Sequence, residues 1–305
     1  MTLGKRFNME LLFKKIEIVS ELSVSDTIRS LDQKDYFMQP MVNIALRAAR
    51  QAGEMIVKAA DNLESVEVSE KSKNDFVTEI DKRSEQIIID SILKAYPDHH
   101  FLSEERGFDG NNSSDVQWII DPLDGTTNFV RGIPYVSVSI ACMIKGKLEH
   151  AVVLEPFSHD EFTASRGFGA KLNGRRIRVS GKTDKNGALY ATGIPFNDPS
   201  FQNMKEYLEC LHEFAENSCG VRRMGVASLD LAYVASGKFD VFFEMYLKPW
   251  DIAAGTLLVR EAGGFVGDFN GGENFMSNGH ILATTPKLFK PSLKTISKYL
   301  SQLKN

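Results

Sequence analysis

The chain has 305 residues, 43% hydrophobic and 25% charged, a soluble globular balance with room for one large domain or two ordinary ones. Its net charge of −4 supplies no bulk attraction for nucleic acid. No apolar run approaches the ~18 residues of a membrane span, so a soluble cytoplasmic protein without a membrane partner is expected. Three cysteines without a C-x-x-C pair are expected to be reduced and structural. Six histidines without a His-x-x-x-His spacing argue against zinc.

Residues 1–37 carry six basic and six acidic side chains, with neither a signal-peptide apolar region nor Arg-rich transit character. A short amphipathic helix around Leu11–Val19 is the only pattern there. This segment is expected to be an N-terminal extension outside the catalytic fold, which would run from 38 to 305 in two halves, 38–182 and 183–305. Met41, Ile44, Ala45, Ala48, Ala52, Met55 and Ile56 recur at helical spacing. After a polar stretch from Lys71 to Thr78, the pattern predicts a second helix over Glu79–Tyr96, stopped by Pro97. Phe101–Ser103 leads into Glu104 and Glu105, and Arg106 begins a polar loop. Val116–Ile120 has strand composition. Tyr135–Ile144 and Leu148–Leu154 alternate about Gly146 as a hairpin, and Glu161–Ala164, Ala170–Leu172 and Ile177–Val179 extend the sheet.

The second half alternates. Strands are predicted at Ala188–Thr192, Val221–Met224, Phe239–Met245, Phe265–Asp268 and Ile281–Ala283. Helices are predicted at Met204–Glu216, Ala227–Ser236, Pro249–Ala262 and Leu288–Leu303, with Gly263-Gly264 stopping the third. An α+β half followed by an α/β half implies two sheets layered with helices.

The chemistry concentrates at Asp121-Pro-Leu-Asp-Gly-Thr-Thr-Asn-Phe129. An apolar strand ends at Asp121, Pro122 stiffens the turn, and Asp124 follows three residues later. Two acids this close repel each other when partly buried, and a divalent cation is the usual remedy. Gly125 and the threonines can open a helix at a phosphate. Glu104 and Asp251 are acids at other element ends. Asp251 alone is explained as a favourable charge in the first turn of its helix, and Glu104 alone as a surface acid. Brought together, four carboxylates and a carbonyl form a hard oxygen site suited to Mg²⁺ or Mn²⁺. Phosphate-monoester hydrolysis needs up to ~10²¹-fold acceleration, and one general base contributes only ~10²–10⁴. Metal chemistry is therefore favoured over acid–base chemistry alone. A phospho-aspartate mechanism is disfavoured, because its second acid stands two residues after the nucleophile rather than three.

Trp118–Phe129 resembles the first signature of the inositol monophosphatase family, and Trp250–Gly264 resembles its second. Asn74–Asp81 and Ser103–Glu105 also fit, and the likeness covers Met38 to the C-terminus. Phe242–Trp250 is similar to a bacterial branch. The resemblance implies a five-layer αβαβα sandwich and an Mg²⁺-dependent, Li⁺-sensitive phosphatase acting on inositol 1-phosphate. It implies metal ligation by Glu104, Asp121, Asp124, Asp251 and the Leu123 carbonyl, with Asp121 bridging. Thr126, positioned by Asp81, would orient and help deprotonate the attacking water. Gly125 and Thr126 amides would hold the phosphate, Glu244 and Arg222 the polyol, and Asp251 would lie near the leaving oxygen. Arg223 is the alternative to Arg222, and Lys71 or Lys73 would lie near the outermost metal. Val226 stands where many eukaryotic members carry Thr. The resemblance also implies a homodimer, and for the bacterial branch a role in transcription antitermination and ribosomal-RNA maturation through protein partners.

Overall fold

Helix α1 (Pro40–Ala60) is the first element described, with Pro at its first position, where the missing N–H costs nothing. Its buried stripe is dominated by Ala45, Ala48, Ala49 and Ala52, so the helix can lie close to its sheet. At Gly53 an added Cβ would stand 2.9 Å from Leu154 Cδ2, which sets how near that approach is. The computed structural model describes residues 39–65, 68–72, 75–110, 114–195, 202–216 and 218–303. The amphipathic pattern near Leu11 and the position of Lys73 lie outside them.

Strands β1 (Val68–Ser72) and β2 (Asp75–Thr78) pair antiparallel as a two-stranded ribbon, where the sequence showed only a polar stretch. Helix α2 (Glu79–Leu93) follows. Thr78 caps it: its Oγ1 accepts the Ile80 N–H, and Asp81 Oδ2 accepts the Thr78 N–H at 2.8 Å.

The main sheet has eight strands in the order β10-β9-β8-β7-β6-β5-β3-β4. These are β3 (His100–Ser103), β4 (Gly107–Asp109), β5 (Val116–Asp124), β6 (Ser137–Ile144), β7 (Lys147–Glu155), β8 (Asp160–Ser165), β9 (Gly169–Leu172) and β10 (Arg175–Arg176). Among the described residues of this sheet, the β3–β5 pair is parallel and the other pairs are antiparallel. A short helix, α3 (Thr126–Val130), leaves the end of β5. The strand predicted at Ile177–Val179 is corrected: the ladder ends at Arg176. Val179 instead donates its N–H to the Ala262 carbonyl, so the chain leaves the sheet to meet a helix end.

The second sheet has five strands ordered β12-β11-β13-β15-β14. They are β11 (Leu189–Thr192), β12 (Gly220–Arg222), β13 (Val241–Glu244), β14 (Phe265–Gly267) and β15 (Ile281–Thr284). Its helices are α4 (Met204–Ala215), α5 (Ala227–Ala235), α6 (Pro249–Glu261), α7 (Phe275–Asn278) and α8 (Phe289–Tyr299). Helices α5 and α6 are buried almost all round, Leu229, Leu231, Val234, Ile252, Leu257 and Leu258 included, because they lie between the sheets. Each such side chain removed from water contributes about 1.5–3 kcal/mol. Helices α4 and α8 pack on the outer face of the second sheet around Tyr190, Tyr207 and Phe214. The layers therefore run α1–α2, eight-stranded sheet, α5–α6, five-stranded sheet, α4–α8, the five-layer αβαβα sandwich. Met41–Asn305 forms one compact unit.

Candidate metal centre

Strand β5 brings its two acids to one face by a bulge. Asp121 pairs with Ser139 and Asp124 with Ser137, so three steps on β5 oppose two on β6. In a regular strand residues three apart point to opposite faces, and one extra residue restores the same face. Pro122 and the buried Leu123 fill the bulge, and the Leu123 N–H returns to Asp121 Oδ1 at 3.1 Å. Asp121 is 2% exposed, as a strand-end acid in an apolar run should be.

The other two acids arrive from neighbouring segments. Glu104 follows β3, which runs parallel to β5 with Ser103 opposite Ile120, and the Glu104 N–H donates to the Ile120 carbonyl. Asp251 sits in the first turn of α6, where its Oδ2 accepts the Lys248 N–H at 2.6 Å. Ser139 Oγ donates to the Trp250 carbonyl at 3.3 Å and ties that turn to the strand partner of Asp121. Asp251 is thus both helix cap and member of the acid group.

The carboxylates share one field. Burial pushes Asp121 well above the ordinary carboxylate range, and Glu104, Asp124 and Asp251 push it further. Asp251 is raised by burial, then by Asp124, Glu104 and Glu244. Burial lifts Asp124 to about 6 against hydrogen bonds from Ser228 and Ala227 that pull it down. Among the described residues, no three Asp, Glu, His or Cys side chains are already arranged tightly around one point. The donor set nonetheless fits a hard cation: the grouped donors are carboxylate oxygens with a carbonyl nearby, and mutual repulsion is what a divalent charge relieves.

Thr126 opens α3 beside this group. Its Oγ1 lies 2.9 Å from Asp81 Oδ1 and 3.1 Å from the Leu123 carbonyl. Asp81 Oδ2 is committed to Thr78, whose Oγ1 donates to it at 2.6 Å, so Oδ1 is the oxygen left for Thr126. Burial raises the Asp81 carboxyl. Gly125 holds φ 95°, and a Cβ there would stand 2.8 Å from Val226 Cγ2. Both the left-handed backbone and the Val226 contact require glycine at the turn.

Glu244 ends β13. A Cβ on Gly193 would fall 1.7 Å from its Oε1, so the carboxylate lies directly against the backbone after β11. Burial lifts Glu244 to about 8, with Arg223 lowering and Asp124 raising it. The family resemblance points to Arg222 for this neighbourhood, with Arg223 as the alternative. The structure turns the Arg222 guanidinium back to the Val221 carbonyl at 3.3 Å, and the arginine whose charge reaches Glu244 is Arg223. Lys71 lies on β1, and its side chain is outside what is described.

Three contributors escaped the sequence reading. Asp230 on α5 is 1% exposed, with Oδ1 3.4 Å from the Tyr135 hydroxyl, and burial with Glu244 and Asp124 raises it strongly. Gly193 and Ser228 are the others. A helix-facing Asp in an otherwise apolar run was the available signal for Asp230.

The sequence pattern described as the inositol monophosphatase family matches residues 38–301. The chain belongs to that family. The Nus factor SuhB of Pseudomonas aeruginosa is 53% identical over 265 residues, covering 86% of this chain and 98% of the relative. The Nus factor SuhB of Escherichia coli is 50% identical over 264 residues, 87% of this chain and 98% of the relative. Among solved structures, the extragenic suppressor protein SuhB of Bartonella henselae superposes with a TM-score of 0.82 at 39% identity, covering 85% and 99% of the two chains. The inositol monophosphatase of Thermotoga maritima gives 0.78 at 31% identity, covering 87% and 100%.

Proposed function

We propose that the protein is a Mg²⁺-dependent phosphomonoesterase, with inositol 1-phosphate as its leading substrate, releasing inositol and phosphate. The observation that carries this reading is the grouping of Glu104, Asp121, Asp124 and Asp251, in which the other three acids raise Asp121, and Asp124 and Glu104 raise Asp251. Mg²⁺ held by these side chains and the Leu123 carbonyl supplies Lewis-acid neutralisation of phosphate and leaving-oxygen charge and a nucleophile at neutral pH.

The chain's own residues then orient the reaction. A hydroxyl has one proton to give. With Thr126 Oγ1 donating to Asp81 Oδ1, its lone pairs accept from a water and aim that water's oxygen at phosphorus. Asp81, buried and already holding Thr78, is the end of this proton path. Amides at Gly125 and Thr126 face the phosphate oxygens, while Glu244 meets polyol hydroxyls as an acceptor. Arg222, the polyol contact the resemblance implies, would have to leave the Val221 carbonyl to take part. The protein acts as a homodimer in the cytoplasm on this reading.

Release of phosphate from inositol 1-phosphate, fructose 1,6-bisphosphate and adenosine 3′,5′-bisphosphate, with and without Mg²⁺, tests it. Cation-dependent turnover led by inositol 1-phosphate is expected, with inhibition by Li⁺. No release from any of the three in saturating Mg²⁺ would overturn the proposal.

A second reading has its own support, because relatives named Nus factors match nearly their full length at about half identity. In this reading the protein also joins a transcription antitermination complex through protein partners, independently of turnover. Co-purification of antitermination factors with a catalytically dead variant supports it, and loss of that association with activity contradicts it.

A further inference from the structure

Asp124 is gripped by a segment from the second half of the chain. The Ser228 N–H donates to Asp124 Oδ2 at 2.9 Å, and Ser228 Oγ donates to the same oxygen at 2.6 Å. Ser228 is fully buried, so water does not compete for that hydroxyl. Its single proton goes to the carboxylate. The 2.6 Å contact between Ser137 Oγ and Ser228 Oγ therefore runs with Ser137 as donor. Ser137 is also the residue opposite Asp124 on β6, so the relay Ser137–Ser228–Asp124 closes on the strand pair that carries the bulge.

The backbone reinforces the relay. Helix α5 has Val226 at its N-cap and no side-chain cap of its own. The Ala227 and Ser228 N–H groups, which an α-helix leaves without partners, turn to Asp124 instead. An acceptor alone would satisfy the helix. The hydroxyl, with a second serine behind it, adds something a cap does not need: it fixes the rotation of the carboxylate about its own axis.

We propose that Ser228, ordered by Ser137, is a positioning residue that presents the Asp124 carboxylate to the divalent cation. This rests on the metal-dependent reading above. Partners that orient a ligand from behind typically change metal affinity or activity ~10–100-fold when removed. Ser228→Ala keeps the backbone N–H and loses only the hydroxyl.

The test is calorimetric titration of the full chain with Mg²⁺, and with Mn²⁺ as a second probe, beside kcat and KM at rising Mg²⁺. Ser228→Ala is expected to bind cation ~10–100-fold more weakly, to recover kcat at high Mg²⁺, and to keep the wild-type KM for the phosphate ester. Ser137→Ala is expected to weaken cation binding in the same direction by a smaller factor. Melting curves identify folded variants, and if Ser228→Ala does not fold, Ser137→Ala carries the test. A folded Ser228→Ala with wild-type cation affinity overturns the inference, as does an unchanged Ser137→Ala in the case where it stands alone. A wild-type chain that binds neither cation overturns the metal-dependent reading and this inference with it, an outcome distinct from the others.

Discussion

Burial outweighs the hydrogen bonds from Ser228 and Ala227 at Asp124, and the carboxyl comes to rest at about 6 rather than 3.8. The folded state therefore holds this proton more tightly than the unfolded chain. Between pH about 4 and about 6 the folded form binds more protons, so its stability falls as pH rises through that window. A cation that replaces the proton reverses the loss. The melting temperature of chelator-treated protein should decline from pH 4.5 to 6.5, and added Mg²⁺ should raise it more at the higher pH. Equal Mg²⁺ shifts at both pH values would count against the assignment. Gly193 gives a second prediction at this scale. Alanine there collides with Glu244, and overpacking a buried site costs about 1–3 kcal/mol. Gly193→Ala should raise KM for inositol 1-phosphate and blunt its preference over other esters while leaving Mg²⁺ affinity unchanged. A substrate panel measured on the folded variant reads that split.

Helix α2 anchors three segments of the site along one buried stripe. Asp81 holds Thr126, and Ser84 Oγ donates to the Pro122 carbonyl at 2.7 Å within the β5 bulge. Glu85 accepts the Glu105 N–H at 3.0 Å and pairs with Arg106 Nε at 3.0 Å, which fixes the turn carrying Glu104. Ser84→Ala leaves a buried carbonyl without its donor and should cost about 1–3 kcal/mol in urea unfolding. It should also lower kcat, because the bulge between Asp121 and Asp124 loosens. An unchanged unfolding midpoint and kcat would show that α2 does not hold the bulge. The 3.6-residue period of α2 and α6 and the alternation of β6 and β7 were legible because each element buries a continuous face. The β1–β2 ribbon and β4 were not, since short polar strands carry no burial pattern to read. Ile177–Val179 alternates like a strand, yet after Ile177 donates to Ala170 of β9 the chain turns away and Val179 donates to the end of α6.

Across the whole molecule, the acids come from the turn after β3, the end of β5 and the start of α6, and Asp124 is held by α5 from the other half. Asp121 and Asp124 were visible because a carboxylate ending an apolar strand has few bland explanations. Ser137, Ser228 and Gly193 were not. Serine and glycine are common, and their importance lies in contacts across 91, 104 and 51 positions of sequence that no spacing announces. Arg222 and Arg223 are indistinguishable by spacing for a similar reason, because Arg222 ends β12, Arg223 follows it, and only the tertiary fold says which charge reaches Glu244. Cation binding should therefore stabilise both halves together, by about 2.7 kcal/mol at a hundredfold excess over Kd, as one cooperative transition. Separate melting of the halves in Mg²⁺ would contradict that.

The most direct test is Asp121→Asn, which keeps the shape of the side chain and removes the charge at the centre of the acid group. Phosphate release from inositol 1-phosphate is measured beside calorimetric Mg²⁺ binding for the folded variant and the wild type. Both the cation binding and the Mg²⁺-dependent release should be lost. A folded Asp121→Asn protein that releases phosphate in Mg²⁺ at the wild-type rate would contradict the metal-dependent reading.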